Sequence, residues 1–280
     1  MTAQPSRPGA AHAAPAGLTA AQAAPAGLSA AHAAPAGPGA AQAAPAGLGS
    51  AEALRVKLGQ AAPAVQAATA RLWQQAGLRP RYAEYLRVMH GVIRASVPLM
   101  ERAAQLCVAR GPADPAAGPV REYLEAHIRE ERGHDDWLLA DLAALGAEPA
   151  ETLAAQPPPA VARLVGPQYY WIEHYHPVAL LGYIAVMEAN APAPWLAGWI
   201  QAAAGVPQAA VRTVREHAAL DPGHAGQVLA LVDSCPLTQA QERAIAVSGL
   251  ATVNALVDLL DGLAGGHGSP VPAAPRRRTP

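Results

Sequence analysis

From Ser50 onward apolar residues recur at three- and four-residue spacing, punctuated by Pro and Gly, and nowhere alternate as a strand would. The pattern predicts an all-α body. Helices are expected near residues 51–77, 81–110, 117–145, 168–190, 193–204, 206–233 and 238–263, with breaks at GLRP, RGPADP, the prolines at 157–159, NAPAP and SCPL. Pro98 and Pro177 fall inside these spans, where a missing N–H and a ring clash predict a kink or short interruption. The ends differ. Residues 11–50 are four decapeptides built on AAPAG, and Pro and Gly in every repeat stop a helix before it nucleates. The division expected is a disordered low-complexity arm at 1–50, a helical-bundle metal-binding domain at 51–264 and a disordered tail at 265–280.

Three of the predicted helices turn polar groups toward the core. In EYLEAHIREERGHDDWLLADLAALG, with His127 as origin, Glu131 falls at about 40° and His134 at about −20°, on the arc of Leu124, Leu138 and Leu142, while Glu130 lies at its edge. The same angles recur for His217, Asp221 and His224, along a stripe of Val214, Val228, Leu231 and Val232, so two segments share the spacing H-x3-[DE]-x2-H. Asp221 precedes Pro222, and a second reading makes it the N-cap of a new helix. Glu188 shares the face of Leu181, Ile184 and Ala185, near a helix end where an acid opposes the dipole. His90 and Glu101 flank the apolar stripe of residues 82–100 and are further candidates, each weighed against a place at the helix boundary. His174 stands about 21 Å from Glu188 along a continuous helix, so it and His176 are read as structural or as lining a substrate channel.

Composition narrows the field. The chain has 280 residues, 51% of them hydrophobic, and a formal charge of −1, enough to bury a sizeable core and too balanced to draw nucleic acid or an anionic membrane. The Arg276–Arg278 cluster reads as solvated, and His12 and His32, twenty residues apart in a flexible arm, as unsuited to a metal site. Cys107 and Cys235 lie in helical patterns rather than a disulfide framework, and no run approaches the ~20 apolar residues of a membrane span. A cytoplasmic location is expected.

A single inward His is most often a hydrogen-bonded core residue. Buried carboxylates on several helices are different, because each costs several kcal/mol without a partner and a shared cation removes that cost. Mixed carboxylate and imidazole donors at bundle spacing suit iron or manganese, in pairs, and the lack of thiolates argues against structural zinc. The candidate ligands are Glu131, His134, Glu188, His217, Asp221 and His224, with His127, His90 and Glu101 in reserve.

The segments AHIREERGHDDWLLADLAALG, HPVALLGYIAVMEANAP and REHAALDPGHA resemble the iron-containing redox enzymes of the heme-oxygenase-like fold, also called heme-oxygenase-like diiron oxidases, over roughly residues 80–235. The resemblance implies a helical bundle of about seven helices carrying two irons. It matches the family's late motif to His217, Asp221 and His224, its mid-bundle Glu to Glu188, and its early His to His134. His127 stands where several members carry a Glu, and the first-helix Glu has only Glu101 or His90 as imperfect counterparts. The implied function is a non-haem iron oxidase or oxygenase, holding one or two Fe ions, that uses dioxygen on a small organic substrate of amino-acid, fatty-acid or natural-product type. Tyr169, Tyr170, Trp171, Tyr175 and Tyr183 are candidates for the pocket wall, against a role in packing alone. Alternatives are a metal-free thiaminase-type enzyme using Cys235, a haem oxygenase with His90 or His134 on the iron, and a non-catalytic interaction protein tethered by its arm. A homodimer is a further expectation.

Overall fold

The computed structural model describes residues 48–265, so the arm and tail expectations, with His12, His32 and Arg276–Arg278, fall outside the described residues except at their inner edges. Within them the chain is helical: α1 (Ser50–Leu72), α2 (Leu78–Arg110), α3 (Ala117–Glu131), α4 (His134–Ala144), α5 (Pro149–Ala154), α6 (Pro159–His174), α7 (Leu180–Ala189), α8 (Leu196–Ala204), α9 (Arg212–Ser234) and α10 (Gln239–Ala264).

The differences from expectation have local causes. The span predicted as one helix over 117–145 is two, because Arg132 is extended and Gly133 adopts φ 88°, a left-handed conformation that glycine takes without steric cost. The span predicted over 168–190 is also two, parted by a 3-10 turn at Pro177–Ala179. Helix α6 starts earlier than expected, with Pro159 as its first residue, a position whose N–H needs no partner. Pro98 interrupts nothing, since α2 runs through it. Pro222 likewise lies inside a continuous α9, so Asp221 is no N-cap.

Two apolar clusters form the interior. The larger joins α1, α2, α3, α6, α7, α9 and α10; the smaller, with Tyr82, Leu138, Leu196 and Val214, joins the start of α2 to α4, α8 and the start of α9. Helix α10 packs on α1, α6 and α7. By length and composition α10 qualifies as a membrane span, contrary to expectation, but 56% of its apolar window is buried within the bundle. Where α7 crosses α10 the backbones nearly touch: a Cβ on Gly182 would stand 2.1 Å from the Ile245 carbonyl oxygen. Buried Asp141 on α4 accepts from the backbone N–H groups of Arg212 (3.2 Å) and Thr213 (2.9 Å), capping α9 and fixing where it begins. Beyond the far end of α2, buried His176 and Gln241 form a polar knot with part-buried Asp114.

Candidate metal centre

Helices α3, α4, α7 and α9 bring their inward polar groups to one place, at the seam of the two apolar clusters. His127 and Glu131 share a face of α3 at i, i+4 spacing. Glu188 comes from the last turn of α7, and His217, Asp221 and His224 from the middle of α9. His134 is the first residue of α4.

Glu188 accepts hydrogen bonds from His127 Nε2 (3.2 Å) and His224 Nδ1 (3.3 Å) on its two oxygens. Glu131 stands between the imidazoles, Oε1 3.6 Å from His224 Nδ1 and Oε2 3.2 Å from His134 Nδ1. The rings of His127 and His224 meet edge-on at 4.7 Å, and those of His134 and His217 at 5.1 Å. His217 donates its Nδ1–H to the Thr213 carbonyl at 2.9 Å, which leaves the Nε2 lone pair free to ligate. Two donor groups result, one of His127, Glu131, Glu188 and His224, the other of Glu131, His134 and His217, with the ligand atoms of each within 4.8 Å of one another. Glu131 belongs to both.

The charge balance is unusual. Three acids, Glu131, Glu188 and Asp221, lie within the cluster, and among the described residues none is paired with a Lys or Arg. Burial and the nearby charges of Glu188 and Glu131 push Asp221 up to about 9. Burial opposes ionisation of Glu188 too, yet its histidine hydrogen bonds and their charge outweigh that and hold it below the ordinary carboxylate range. Burial lowers His217 despite its bond to Thr213, whereas the bond to Glu188 raises His224. His127 Nδ1, His134 Nδ1 and Asp221 Oδ1 are buried without a hydrogen-bond partner. Orphaned donor atoms, uncompensated carboxylates and the absence of sulfur fit oxygen- and nitrogen-loving cations such as iron.

Of the nine candidates, His127, Glu131, His134, Glu188, His217 and His224 fall into the two groups, and Asp221 lines the cavity beside them. Glu101 does not join them: its exposed carboxylate pairs with Arg132 at 3.0 Å. His90 is buried, with Nε2 unpartnered, but lies in neither group and not on the cavity wall. The aromatics expected at the wall are mostly elsewhere. Tyr169, Tyr170 and Tyr175 are exposed, Trp171 is half-buried off the wall, and only Tyr183 lines the cavity, which instead carries Trp73, Tyr85, Trp195 and Trp199. His174 is exposed, and His176 is structural, bonded to Asp114 at 2.7 Å. Cys235 is buried away from the wall, its thiol pushed up by burial.

Sequence reading missed two stacked rings. Trp137 lies 3.9 Å from the His134 ring, and Tyr123 5.5 Å from the His127 ring. Spacings of three and four residues were the available signal. Glu130, set at the edge of the inward arc, brings Oε2 to 3.3 Å from His224 Nε2 from a half-exposed side chain. The cavity opening from the cluster has a volume of about 820 Å³.

A family model described as iron-containing redox enzyme matches residues 101–257, more than half of the chain, and spans every residue of both donor groups. The chain belongs to this family. Its likeness to solved structures agrees in fold. One is a domain of unknown function with a heme oxygenase-like fold from Shewanella denitrificans, 19% identical, with a TM-score of 0.57, covering 78% of this chain and 90% of that one. Another is a TenA homolog from Pseudomonas syringae pv. tomato, 14% identical, with a TM-score of 0.55, covering 75% of this chain and 92% of its own. No protein of curated function matches the sequence. The bundle therefore has the heme-oxygenase-like fold, and membership of the iron-containing family makes the protein an oxidoreductase in general terms.

Proposed function

We propose that this protein is a dinuclear non-haem iron oxidase or oxygenase that uses dioxygen on a small organic substrate. The observation that supports it is the position of Glu131 in both donor groups, as a bridging carboxylate requires. His127, Glu131, Glu188 and His224 would hold one ion, and Glu131, His134 and His217 the other, with Asp221 adjacent. Iron, or manganese in its place, would supply the binding and reduction of dioxygen. The chain's own residues prepare that chemistry. Thr213 fixes the His217 tautomer, Asp141 anchors the start of α9, and a mostly apolar cavity wall flanks the carboxylates. Burial beside Glu188 and Glu131 pushes the Asp221 carboxyl up to about 9, so a cation bound there would displace a proton. Buried, unpaired Cys107 and Cys235 accord with a reducing cytoplasm.

Anaerobic titration of the metal-free protein with ferrous iron tests the reading: saturation near two equivalents, followed by rapid oxygen uptake on aeration, is expected. A protein that binds no iron overturns it. A metal-free thiaminase-type enzyme draws support from the TenA homolog's fold, but the cysteine it would use, Cys235, is absent from the cavity wall.

A further inference from the structure

We infer that the body of the substrate, beyond any group that meets the metal, is uncharged and largely apolar, and that shape and aromatic faces hold it without a charged anchor on the cavity wall. The inference rests on the oxidase reading only for where the chemistry occurs.

A volume of about 820 Å³ lies in the upper part of the range for pockets that enclose a whole small molecule. Its direction can be read from exposure. Gln74, Gln75 and Trp195 are exposed and mark the mouth, whereas Leu99 and Tyr183 are buried on the inner wall with the metal-facing carboxylates. Trp73 and Trp199, half-buried, offer flat faces between.

Charge decides the class of ligand. Among the described residues no Lys or Arg lines this cavity. Arg81, close in sequence to the mouth, gives its guanidinium to the carbonyls of Leu72, Gln74 and Ala76. A carboxylate, sulfonate or phosphate on the body of the substrate would leave water for a wall with no cation to receive it. A cationic group fares no better, because the only acids on the wall among the described residues, Glu131, Glu188 and Asp221, stand where the metal ions would take their charge. The polar groups left are amides and hydroxyls, Gln66, Thr69 and Ser96 among them, which suit carbonyl, ether or hydroxyl functions.

A matched pair of fluorescent probes tests this on the full-length, metal-free protein: neutral N-phenyl-1-naphthylamine, and 1-anilinonaphthalene-8-sulfonate, which adds a sulfonate to the same skeleton. Saturable binding of one neutral probe per chain is expected, at least tenfold tighter than the sulfonate. Ser96→Trp, which fills the cavity, should abolish it. Thr69→Arg, which places a cation on the wall, should tighten sulfonate binding at least tenfold, with circular dichroism confirming that both variants stay helical. Equal or tighter binding of the sulfonate by the wild type, no binding of the neutral probe, or its undiminished binding to a folded Ser96→Trp variant overturns the inference. Since no metal is present, these outcomes are separate from the iron titration, which judges the oxidase reading alone.

Discussion

Glu131 and His134 belong to different helices, yet Glu131 Oε2 lies 3.2 Å from His134 Nδ1. The two-residue joint between them, with Gly133 at φ 88°, turns the chain while keeping both side chains inward. Gly133→Ala meets only ordinary contact, with Asp136 Oδ2 at 3.9 Å, so its cost is conformational, about 1–2 kcal/mol, and should lower iron affinity at least tenfold in an anaerobic titration. Gly146→Ala, at φ 91° and away from the cluster, should show a similar fall in melting temperature with iron binding intact.

The two donor groups predict distinct stoichiometries. His217→Ala should reduce iron binding from about two equivalents to about one, while Glu131→Ala, common to both groups, should weaken both sites. Glu101→Ala should bind as the wild type does, since its partner is surface Arg132. Metal analysis under anaerobic conditions, with helix content followed in parallel, separates these outcomes.

Acid stability should depend on Asp114 and His176. His176 accepts from the Val178 N–H at Nδ1 (3.1 Å) and donates from Nε2 to Asp114 (2.7 Å), a neutral-ring arrangement; burial, its largest cause, lowers its proton affinity. Asp114 is resisted by burial, but the bond and charge of His176 hold it below the ordinary 3.8. Both folded values lie below the unfolded ones, so both contributions are complete above about pH 6.5. The histidine part fades as pH falls from there through its folded value, and the aspartate part as pH falls from 3.8 through its own. His176→Asn should flatten the melting-temperature profile just below pH 6.5, and Asp114→Asn the limb below pH 4. Unchanged slopes in both variants would refute the assignment.

Gly182→Ala should be the more damaging glycine exchange. Its Cβ would lie 2.1 Å from the Ile245 oxygen and 2.7 Å from the Gly249 nitrogen, where backbone must yield rather than side chain. About 3 kcal/mol or more of lost stability in urea unfolding is expected.

What the sequence revealed follows the reach of its signals. Periodicity exposed the helical class and the inward arcs of His217, Asp221 and His224, because α9 is one helix and angular arithmetic holds along it. The same arithmetic paired Glu131 with His134 through a helix that does not exist; the glycine turn happens to keep them together. Glu101 stayed among the reserve candidates because periodicity cannot say which boundary face a neighbouring helix will cover. The cavity wall was invisible for a related reason. Trp73, Trp195 and Trp199 lie at or near helix ends, and only the packing of α1, α7 and α8 brings them toward one space.

The close crossing of α7 and α10 divides the labour of the bundle. Backbone pressed on backbone at Gly182 and Gly249 leaves α7 little freedom to slide or rotate, so Glu188, six residues on from Gly182, keeps its station. The opposite wall, on α1 and α8, is built from side chains at the cavity mouth. Substitutions there can reshape what enters while the carboxylate stays in register. Constancy and adaptability are housed in separate helices, and a lineage built on this scaffold can change its diet without relearning its chemistry.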